Sequence, residues 1–460
     1  MQLTPTFGSL LLQFRSVFTA PSFATFLTLA TGWCLSFRHR YVTVLIQSAD
    51  AVHRGHHSRY HRFFSNAAWS IDDLYEALAR DAVRTFFSEG TIALGADDTL
   101  CRRRGLTIFG TGMHHDPLNS SRSRPHVSWG HAWVILSLLI SNPPWSPTKV
   151  WALPVGMRLY RNRQGLTKGK KQQADAKGKG AKRKPADPNH RTRPELAVGL
   201  IRRFAGWFPV REVLVSGDSA YGGKSVLRHL PENADLISRV ASHAALYEPA
   251  PPPRPKQKGP RRKKGDRLPT MADWAGDEAK PWEELEFGQY GLHARLQVKT
   301  IRGLYYKAGK DRLLVIVLVR DLEGGRPDQM FYCTRLDWGA RTILSHYAAR
   351  WSVEVMHQNA KQMMGLADPA NRTAKGVERT APVGLALYGL TLIWFDREGH
   401  RSLSFPDRPW YPGKEEPSYA DILGALRRES WRGQFAGVDW QRDGRETPLA
   451  QLIEFVSRAA

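Results

Sequence analysis

The sequence predicts an α/β protein with a mixed sheet in its middle and helices at both ends. Between residues 91 and 334, short apolar runs typical of strands alternate with segments of helical periodicity. Apolar residues make up 42% of the 460-residue chain, so most of it is expected to fold, into about two to four domains. No internal repeat is evident, which argues against a repeat architecture.

Residues 1–89 are predicted to form a helical N-terminal domain. Apolar residues recur at helical intervals, and Ser70 is suited to cap a helix over residues 71–87. The most apolar stretch, Phe18 to Phe37, is broken by Pro21 and follows no strongly basic segment. We therefore expect a buried helix there instead of a signal peptide or membrane span, and a cytoplasmic protein.

A basic segment, residues 53–62, lies inside this helical region and is followed closely by aromatic residues. Basic and aromatic side chains interleaved on a short helix are typical of phosphate and base contacts, so we predict DNA binding here, with Arg59 and Arg62 as contacts. Its four histidines could instead form a metal site, or the segment could be an ordinary solvated basic face. The basic residues are His53, Arg54, His56, His57, Arg59, His61 and Arg62.

The central elements follow in a mixed order. Two of the predicted strands run into acidic residues: Asp97 and Asp98 end the first, and Asp218 follows the run VLVSG. In the predicted helix that lies between these acids, Pro194 suits the first turn. In chain order we predict strands at 91–99, 131–140 and 149–160, a helix at 193–208, a strand with a sharp turn at 211–223, and a strand at 234–247.

Two basic, low-complexity segments, residues 165–193 and 250–266, are predicted to be loops, because their composition cannot form a core. They either touch DNA phosphates without sequence preference or are simply solvated. A strand-rich piece then extends to about residue 334, and an apolar helix at 383–396 is expected to close the core. Helical segments are predicted near 419–433 and 448–459.

The charge balance points to an anionic partner. The formal net charge is +24, from 67 Lys and Arg against 43 Asp and Glu. Nucleic acid is the first candidate and an acidic membrane surface the second. The chain has three cysteines, Cys34, Cys101 and Cys333, which are far apart and form no C-x2-C pair. This pattern argues against a disulfide framework or a cysteine zinc site and suits a reducing compartment.

The stretch YAARWSVEVMHQNAK carries a concentrated chemical pattern. On one continuous helix, Arg350, Glu354 and Lys361 would fall within about 60° of Tyr347 around the axis. That face would present an acid with two cations and a phenol, which is typical of metal-assisted chemistry on a phosphodiester. The alternative is an amphipathic helix with a common Arg–Glu pair at i,i+4.

The spacing Y-x2-R-x3-E-x6-K resembles the signature of DDE transposases of bacterial insertion sequences, in their cut-and-paste group. The resemblance implies a ribonuclease H-like mixed sheet core interrupted by a β-rich insertion. It also implies that Tyr347, Arg350 and Lys361 contact DNA, and Trp351 beside them could stack on an unpaired base. The domains would be a helical DNA-binding domain at 1–89, the catalytic core at 90–249 and 335–397, the β-rich insertion at 250–334, and a helical C-terminal region at 398–460.

Two-metal chemistry needs about three acids, so Glu354 requires two more. Asp218 supplies one. Asp97 and Asp98 compete for the other, because neighbouring side chains of a strand point to opposite faces and only one can face the site. The resemblance favours Asp97, with Asp98 as the alternative. Two Mg²⁺ or Mn²⁺ ions would then be held by Asp97, Asp218 and Glu354.

The resemblance implies a function as well. The protein would be a transposase that cuts double-stranded DNA at the ends of an insertion sequence and joins it to target DNA, acting as a homodimer in the cytoplasm near the nucleoid. One alternative is a transposase-derived DNA-binding protein without catalysis. Another is a different ribonuclease H-like nuclease, in which the four-residue signature is not expected.

Overall fold

A mixed sheet of ten strands forms the middle of the protein in the residues that the computed structural model describes. These are residues 2–435 apart from 38, 122, 163–189, 253–259, 290–291, 324, 406–408 and 410–411. The strands are β1 (Ile92–Arg102), β2 (Gly112–His115), β3 (Val127–Ser141), β4 (Val150–Tyr160), β5 (Val213–Gly217), β6 (Ala234–Val240), β7 (Glu283–Gln289), β8 (Leu292–Leu304), β9 (Leu313–Asp321) and β10 (Gln329–Cys333).

The strand order is β2-β3-β1-β5-β6-β10-β9-β8-β7, and β4 pairs with β3 on the side that also carries β2. Strands β1, β5 and β6 are parallel neighbours, whereas the other pairings are antiparallel. The predicted strand-rich piece between residues 283 and 333 therefore widens the central sheet through β10, instead of forming a sheet of its own.

The helices lie mostly before and after the sheet. They are α1 (Pro5–Leu11), α2 (Ala20–Leu35), α3 (Val42–Ser48), α4 (Ser58–Ser65), α5 (Ile71–Phe86), α6 (Arg193–Trp207), α7 (Lys224–Leu227), α8 (Met271–Gly276), α9 (Tyr306–Gly309), α10 (Ala340–Ala349), α11 (Trp351–Met363), α12 (Ala374–Arg397) and α13 (Tyr419–Phe435), with 3₁₀ turns at Leu12–Val17 and Gly399–Ser402.

Local sequence explains where several helices begin. The Ser70 side chain accepts hydrogen bonds from the backbone of Asp72 and Asp73, as predicted for the cap of α5. Helix α6 begins with a capping box, in which Thr192 and Glu195 each bind the other's backbone, and Pro194 follows in the first turn.

Helix α12 is the centre of the main core. All of its residues from Thr380 to Phe395 are buried, and α1, α2, α4, α5 and α13 pack around it together with β4. The N-terminal helices thus share one core with the sheet. The apolar stretch near the N-terminus forms the buried helix α2, as predicted. None of the helices in the described part of the chain combines the length and the apolar character that crossing a bilayer requires.

A second, smaller core lies under the widened part of the sheet. Val315, Val317 and Phe331 on the strands pack there against Ile343 and Leu344 of α10. Helix α11 instead packs on β1, β3 and β4. The two consecutive helices therefore cover different parts of one sheet.

The predicted α/β class, with a large mixed sheet and helices at both ends, is confirmed, and it is compatible with a ribonuclease H-like fold. The predicted domain boundaries stay predictions. Most of the basic segment 165–193, residues 253–259 of the second basic segment, and the predicted helix at 448–459 lie outside the described residues.

Candidate functional site

Strand register brings Asp97 and Asp218 side by side. The parallel pairing of β1 with β5 ends at Ala96 opposite Gly217, and each aspartate is the next residue of its chain. Neighbouring strands are about 4.8 Å apart, so the two carboxylates start from adjacent positions. The predicted end of β1 at these two acids is wrong. The strand continues to Arg102, because its antiparallel pairing with β3 extends to that residue.

The two faces of β1 separate Asp97 from Asp98. A Cβ on Gly95 would lie 2.7 Å from a methyl of Val353, so this face of the strand lies directly under α11. Asp97 is two residues further on and shares that face, whereas Asp98 points to the opposite one. The structure therefore places Asp97 with the helix that carries Glu354.

The predicted single signature helix is wrong, because the chain forms two helices that meet at Arg350. Tyr347 belongs to α10, whereas Glu354 and Lys361 belong to α11. The joint is a tight turn: the Arg350 amide donates to the Tyr347 carbonyl and the Val353 amide to the Arg350 carbonyl. The break has a packing cause, since α10 covers the widened part of the sheet and α11 covers β1, β3 and β4.

Arg350 bridges two of the predicted acids from this joint. Its Nη1 donates to Asp97 Oδ2 at 3.0 Å and to Glu354 Oε1 at 3.3 Å, and its Nη2 also donates to Glu354 Oε1 at 3.3 Å. The Arg350 side chain is only 12% exposed, whereas that of Glu354 is 40% exposed. Asp97 and Glu354 are thus close enough to share one nitrogen, and the cluster opens to solvent at Glu354.

The rise in the pKa of Asp97 reflects its burial first and the charges of neighbouring acids second. Burial raises the pKa of Asp97 to about 7, and the nearby charges of Asp218 and Asp98 raise it as well. Arg350 and the Asp98 amide, which donates to Asp97 Oδ1 at 2.8 Å, oppose this rise. A carboxyl group in this state gains strongly from any further positive charge.

Asp98 is fully engaged on its own face. The Tyr221 hydroxyl donates to Asp98 Oδ1 at 2.7 Å, and Arg193 Nη1 lies 2.9 Å from Asp98 Oδ2. Asp218 is half-buried at the start of the turn that contains Tyr221, and its Oδ1 accepts from the Ala220 amide at 2.9 Å.

The remaining signature residues lie on α10 and α11, the two helices that meet at Arg350. The Tyr347 ring packs against Phe331 with centroids 4.6 Å apart, and it also lies under the Arg350 guanidinium. Trp351 is 55% exposed at the first position of α11. Lys361 is half-buried two turns beyond Glu354.

The interpretation of the 53–62 segment needs a correction. The aromatic residues that follow or interrupt its cations, Tyr60, Phe63 and Phe64, are buried in the main core and cannot stack on bases. Their spacing on α4 is that of a buried helix face. Arg59 donates to Thr25 and to the Pro21 carbonyl while staying exposed, and Arg62 is exposed. The predicted DNA contacts of these two arginines stay predictions.

In the described part of the chain, no group of three or more His, Cys, Asp or Glu side chains is arranged as a metal site. The four histidines of the basic segment therefore form no such site. At Asp97 and Glu354 the carboxylate oxygens are turned toward a guanidinium instead. Carboxylate oxygens are nevertheless the donors that Mg²⁺ and Mn²⁺ prefer, and the acids here outnumber the cation between them, so the donor set suits a hard dication.

Sequence reasoning missed three residues at the site. Tyr221 and Arg193 bind Asp98, and Arg239 is exposed at the end of β6 close to Tyr347. Tyr221 follows Asp218 by three residues in the same turn, which was a usable signal. Arg193 and Arg239 had none, since only the tertiary fold brings Arg193 to Asp98 and Arg239 to Tyr347.

In a comparison with known families, residues 13–306 match the sequence profile described as DDE superfamily endonuclease. This range includes Asp97, Asp98 and Asp218, but it ends before Glu354. Comparison with curated proteins gives no match. The profile covers more than half of the chain, and the sheet register places two acids of the matched range, Asp97 and Asp218, side by side. The chain therefore belongs to the DDE superfamily endonuclease family.

Proposed function

We propose that the protein is a transposase of the cut-and-paste group, which cuts DNA at the ends of an insertion sequence and joins it to target DNA. The observation that carries the proposal is that the fold brings three acids from distant parts of the chain to neighbouring positions. Asp97 and Glu354 share Arg350 Nη1, and Asp218 is the register neighbour of Asp97. This supports the first acid of the Asp97–Asp98 pair as the one that serves the site.

Asp97, Asp218 and Glu354 are the residues that would hold two Mg²⁺ or Mn²⁺ ions. Bound there, such ions supply a nucleophile at neutral pH and stabilise the leaving oxygen of a phosphodiester. In the absence of DNA, Arg350 pairs with Asp97 and Glu354, and on DNA binding its guanidinium would contact a phosphate instead.

The surrounding residues suit a DNA strand. Lys361 and Arg350 would bind phosphates near the cut, Tyr347 would support Arg350 through its ring, and exposed Trp351 would stack on an unpaired base. The net charge of +24 supports a polyanionic partner. We further propose a homodimer on DNA that acts in the cytoplasm near the nucleoid.

Cleavage of supercoiled DNA that carries the element ends tests the enzyme. With Mg²⁺ present, we expect nicking by the wild type and none by Glu354→Gln. The matched control is Glu398→Gln, which removes an exposed ion pair with Arg401 and should cleave normally. Equal nicking by wild type and Glu354→Gln would refute catalysis at this site.

The second candidate is a transposase-derived protein that binds DNA without cutting it. In that case the wild type and Glu354→Gln would bind the same end DNA with equal affinity, and neither would cleave it. Cleavage of RNA or junctions but not of end DNA would instead identify another nuclease of this fold. Sizing of the complex with end DNA tests the homodimer, and one protein per DNA end pair would contradict it.

A further inference from the structure

The turn that carries Asp218 is held from several sides. Within it, the Tyr221 amide donates to the Asp218 carbonyl at 3.0 Å. From β6, the Ser238 hydroxyl donates to the same carbonyl at 2.8 Å, and from β10 the Tyr332 hydroxyl donates to the Gly222 carbonyl at 2.8 Å. The approach is close: a Cβ on Gly222 would lie 2.2 Å from Ser238 Oγ.

One contact of this turn reaches the other acid-bearing strand. Tyr221 is buried, with 1% of its surface exposed, and its hydroxyl donates to Asp98 Oδ1 on β1 at 2.7 Å. A hydrogen bond to an ionised acceptor is stronger than one between neutral groups. This bond therefore ties the Asp218 turn to the strand residue directly next to Asp97.

Arg193 keeps the acceptor in place. Its Nη1 lies 2.9 Å from the second oxygen of Asp98, and its guanidinium stacks over the Tyr160 ring at 5.1 Å. Both oxygens of Asp98 are thus occupied by protein groups, in contrast to Asp218, whose Oδ1 alone accepts a backbone amide.

We propose that Tyr221 and Asp98 form a positioning pair, which sets the orientation of Asp218 relative to Asp97, and that Asp98 is not itself a metal ligand. The inference rests on the proposed function, because it assumes that Asp97 and Asp218 hold a dication together. Two carboxylates that share an ion must be held within a fraction of an ångström, and a buried bond between their two backbone segments provides this.

The test measures Mn²⁺ binding to the full-length protein by electron paramagnetic resonance of free Mn²⁺, together with the Mg²⁺ dependence of cleavage. Tyr221→Phe removes only the hydroxyl. We expect it to weaken Mn²⁺ binding about tenfold, in line with the loss of a hydrogen bond to a charged group. The Mg²⁺ concentration for half-maximal cleavage should rise by the same factor, and saturating Mg²⁺ should restore most of the rate.

Tyr75→Phe is the matched control. Tyr75 is equally buried, and its hydroxyl donates to the Pro382 carbonyl at 3.0 Å between two helices of the main core. Its loss should lower the melting temperature as much as Tyr221→Phe does and leave Mn²⁺ binding unchanged. A purely structural role of Tyr221 would make the two variants alike, with Mn²⁺ binding equal to wild type in both, and would overturn the inference.

Asp98→Asn separates positioning from ligation. The asparagine oxygen can still accept from Tyr221, so we expect Mn²⁺ binding to weaken less than about threefold, whereas Asp97→Asn should lose it. If Asp98→Asn lost Mn²⁺ binding as completely as Asp97→Asn, Asp98 would be a metal ligand and the proposed positioning pair would be refuted. A wild type that neither binds Mn²⁺ nor cleaves DNA would refute the proposed function itself, and the inference with it.

Discussion

Two aspartates in the same sheet region, the buried Asp116 and the half-buried Asp97, are each paired with an arginine and have opposite properties. Asp116, directly after β2, accepts from Arg102 Nε at 2.7 Å and Nη2 at 3.0 Å, and from the Ser128 hydroxyl at 2.6 Å. The Arg102 hydrogen bonds hold the pKa of Asp116 well below its ordinary value, and Ser128 adds to this. Asp97 shares Arg350 with Glu354, and burial raises its pKa to about 7.

The difference lies in how the charge is compensated. Asp116 has an arginine of its own, in a two-bond geometry that satisfies both of its oxygens. Asp97 has a share of one arginine and two acidic neighbours, Asp218 and Asp98. A saturated ion pair is a structural element, whereas an undercompensated group of acids can accept another cation.

Replacement of each aspartate by asparagine should separate the proposed catalytic role of Asp97 from the structural role of Asp116. The largest expected effect is the loss of activity in Asp97→Asn. Asp97→Asn should lower DNA cleavage by about a thousandfold or more, because a metal ligand is lost, while the free energy of unfolding in EDTA stays near that of wild type. Asp116→Asn should lower the free energy of unfolding by about 2 kcal/mol, because a buried charge-assisted contact is lost, and cleave normally once folded. Nicking assays and urea unfolding measure both, and normal cleavage by Asp97→Asn would remove the contrast.

Removal of each arginine should affect metal binding unequally. In Arg350→Ala the carboxylates of Asp97 and Glu354 are released from the guanidinium, so Mn²⁺ should bind about tenfold more tightly in the absence of DNA. Calorimetric titration of Mn²⁺ measures the change. Arg102→Ala, in which the lost cation belongs to Asp116, is the control with unchanged Mn²⁺ affinity. Weaker Mn²⁺ binding by Arg350→Ala would mean that Arg350 supports the ion instead of competing with it.

The depressed pKa of Asp116 predicts a sign for its pH dependence. Its folded pKa lies below the ordinary value of 3.8, so its stabilising contribution is present above about pH 4 and is lost as the pH falls further. At pH 7 the free energy of unfolding of the wild type should be about 2 kcal/mol larger than that of Asp116→Asn. This difference between the two proteins should become smaller between pH 4 and pH 2. Urea unfolding at several pH values checks this, and a gap that stays constant would contradict it.

The smallest expected effect concerns free and paired cations. Lys361 has no ion pair among the described residues, whereas Arg102 is committed to Asp116. Lys361→Ala should reduce the slope of log K against log salt for end DNA by about 0.9, as for the loss of one phosphate contact. Arg102→Ala should leave the slope unchanged. Fluorescence anisotropy over a range of salt concentrations measures both slopes, and equal slopes would remove the distinction between the two cations.

Much of the fold could be predicted from the sequence because it depends on local patterns. The runs that became β3 and β4, the apolar helix α12, the cap of α5 and the first-turn proline of α6 all follow from residue type and spacing. For the site, the structure brings Asp97 and Glu354 to one arginine and places Asp218 next to Asp97, and the role of the three acids in metal binding stays a prediction.

Other features depend on contacts between distant segments. A helix period continues smoothly through Tyr347 and Glu354 in the sequence, and the break at Arg350 arises because α10 and α11 cover different cores. The aromatic residues of α4 have the composition of a base-binding surface, yet α2 and α12 bury them.

The sequence by itself determined which residue types are available, namely paired acids after an apolar run, a lone acid before a glycine-rich turn, and a basic stretch with one glutamate. It could not decide between Asp97 and Asp98, because alternation along a strand says only that neighbours face opposite ways. The tertiary structure places α11 over one face of β1 and Tyr221 with Arg193 on the other. The physical reason is that a carboxylate's role depends on which charges surround it, and those charges come from parts of the chain far apart in sequence.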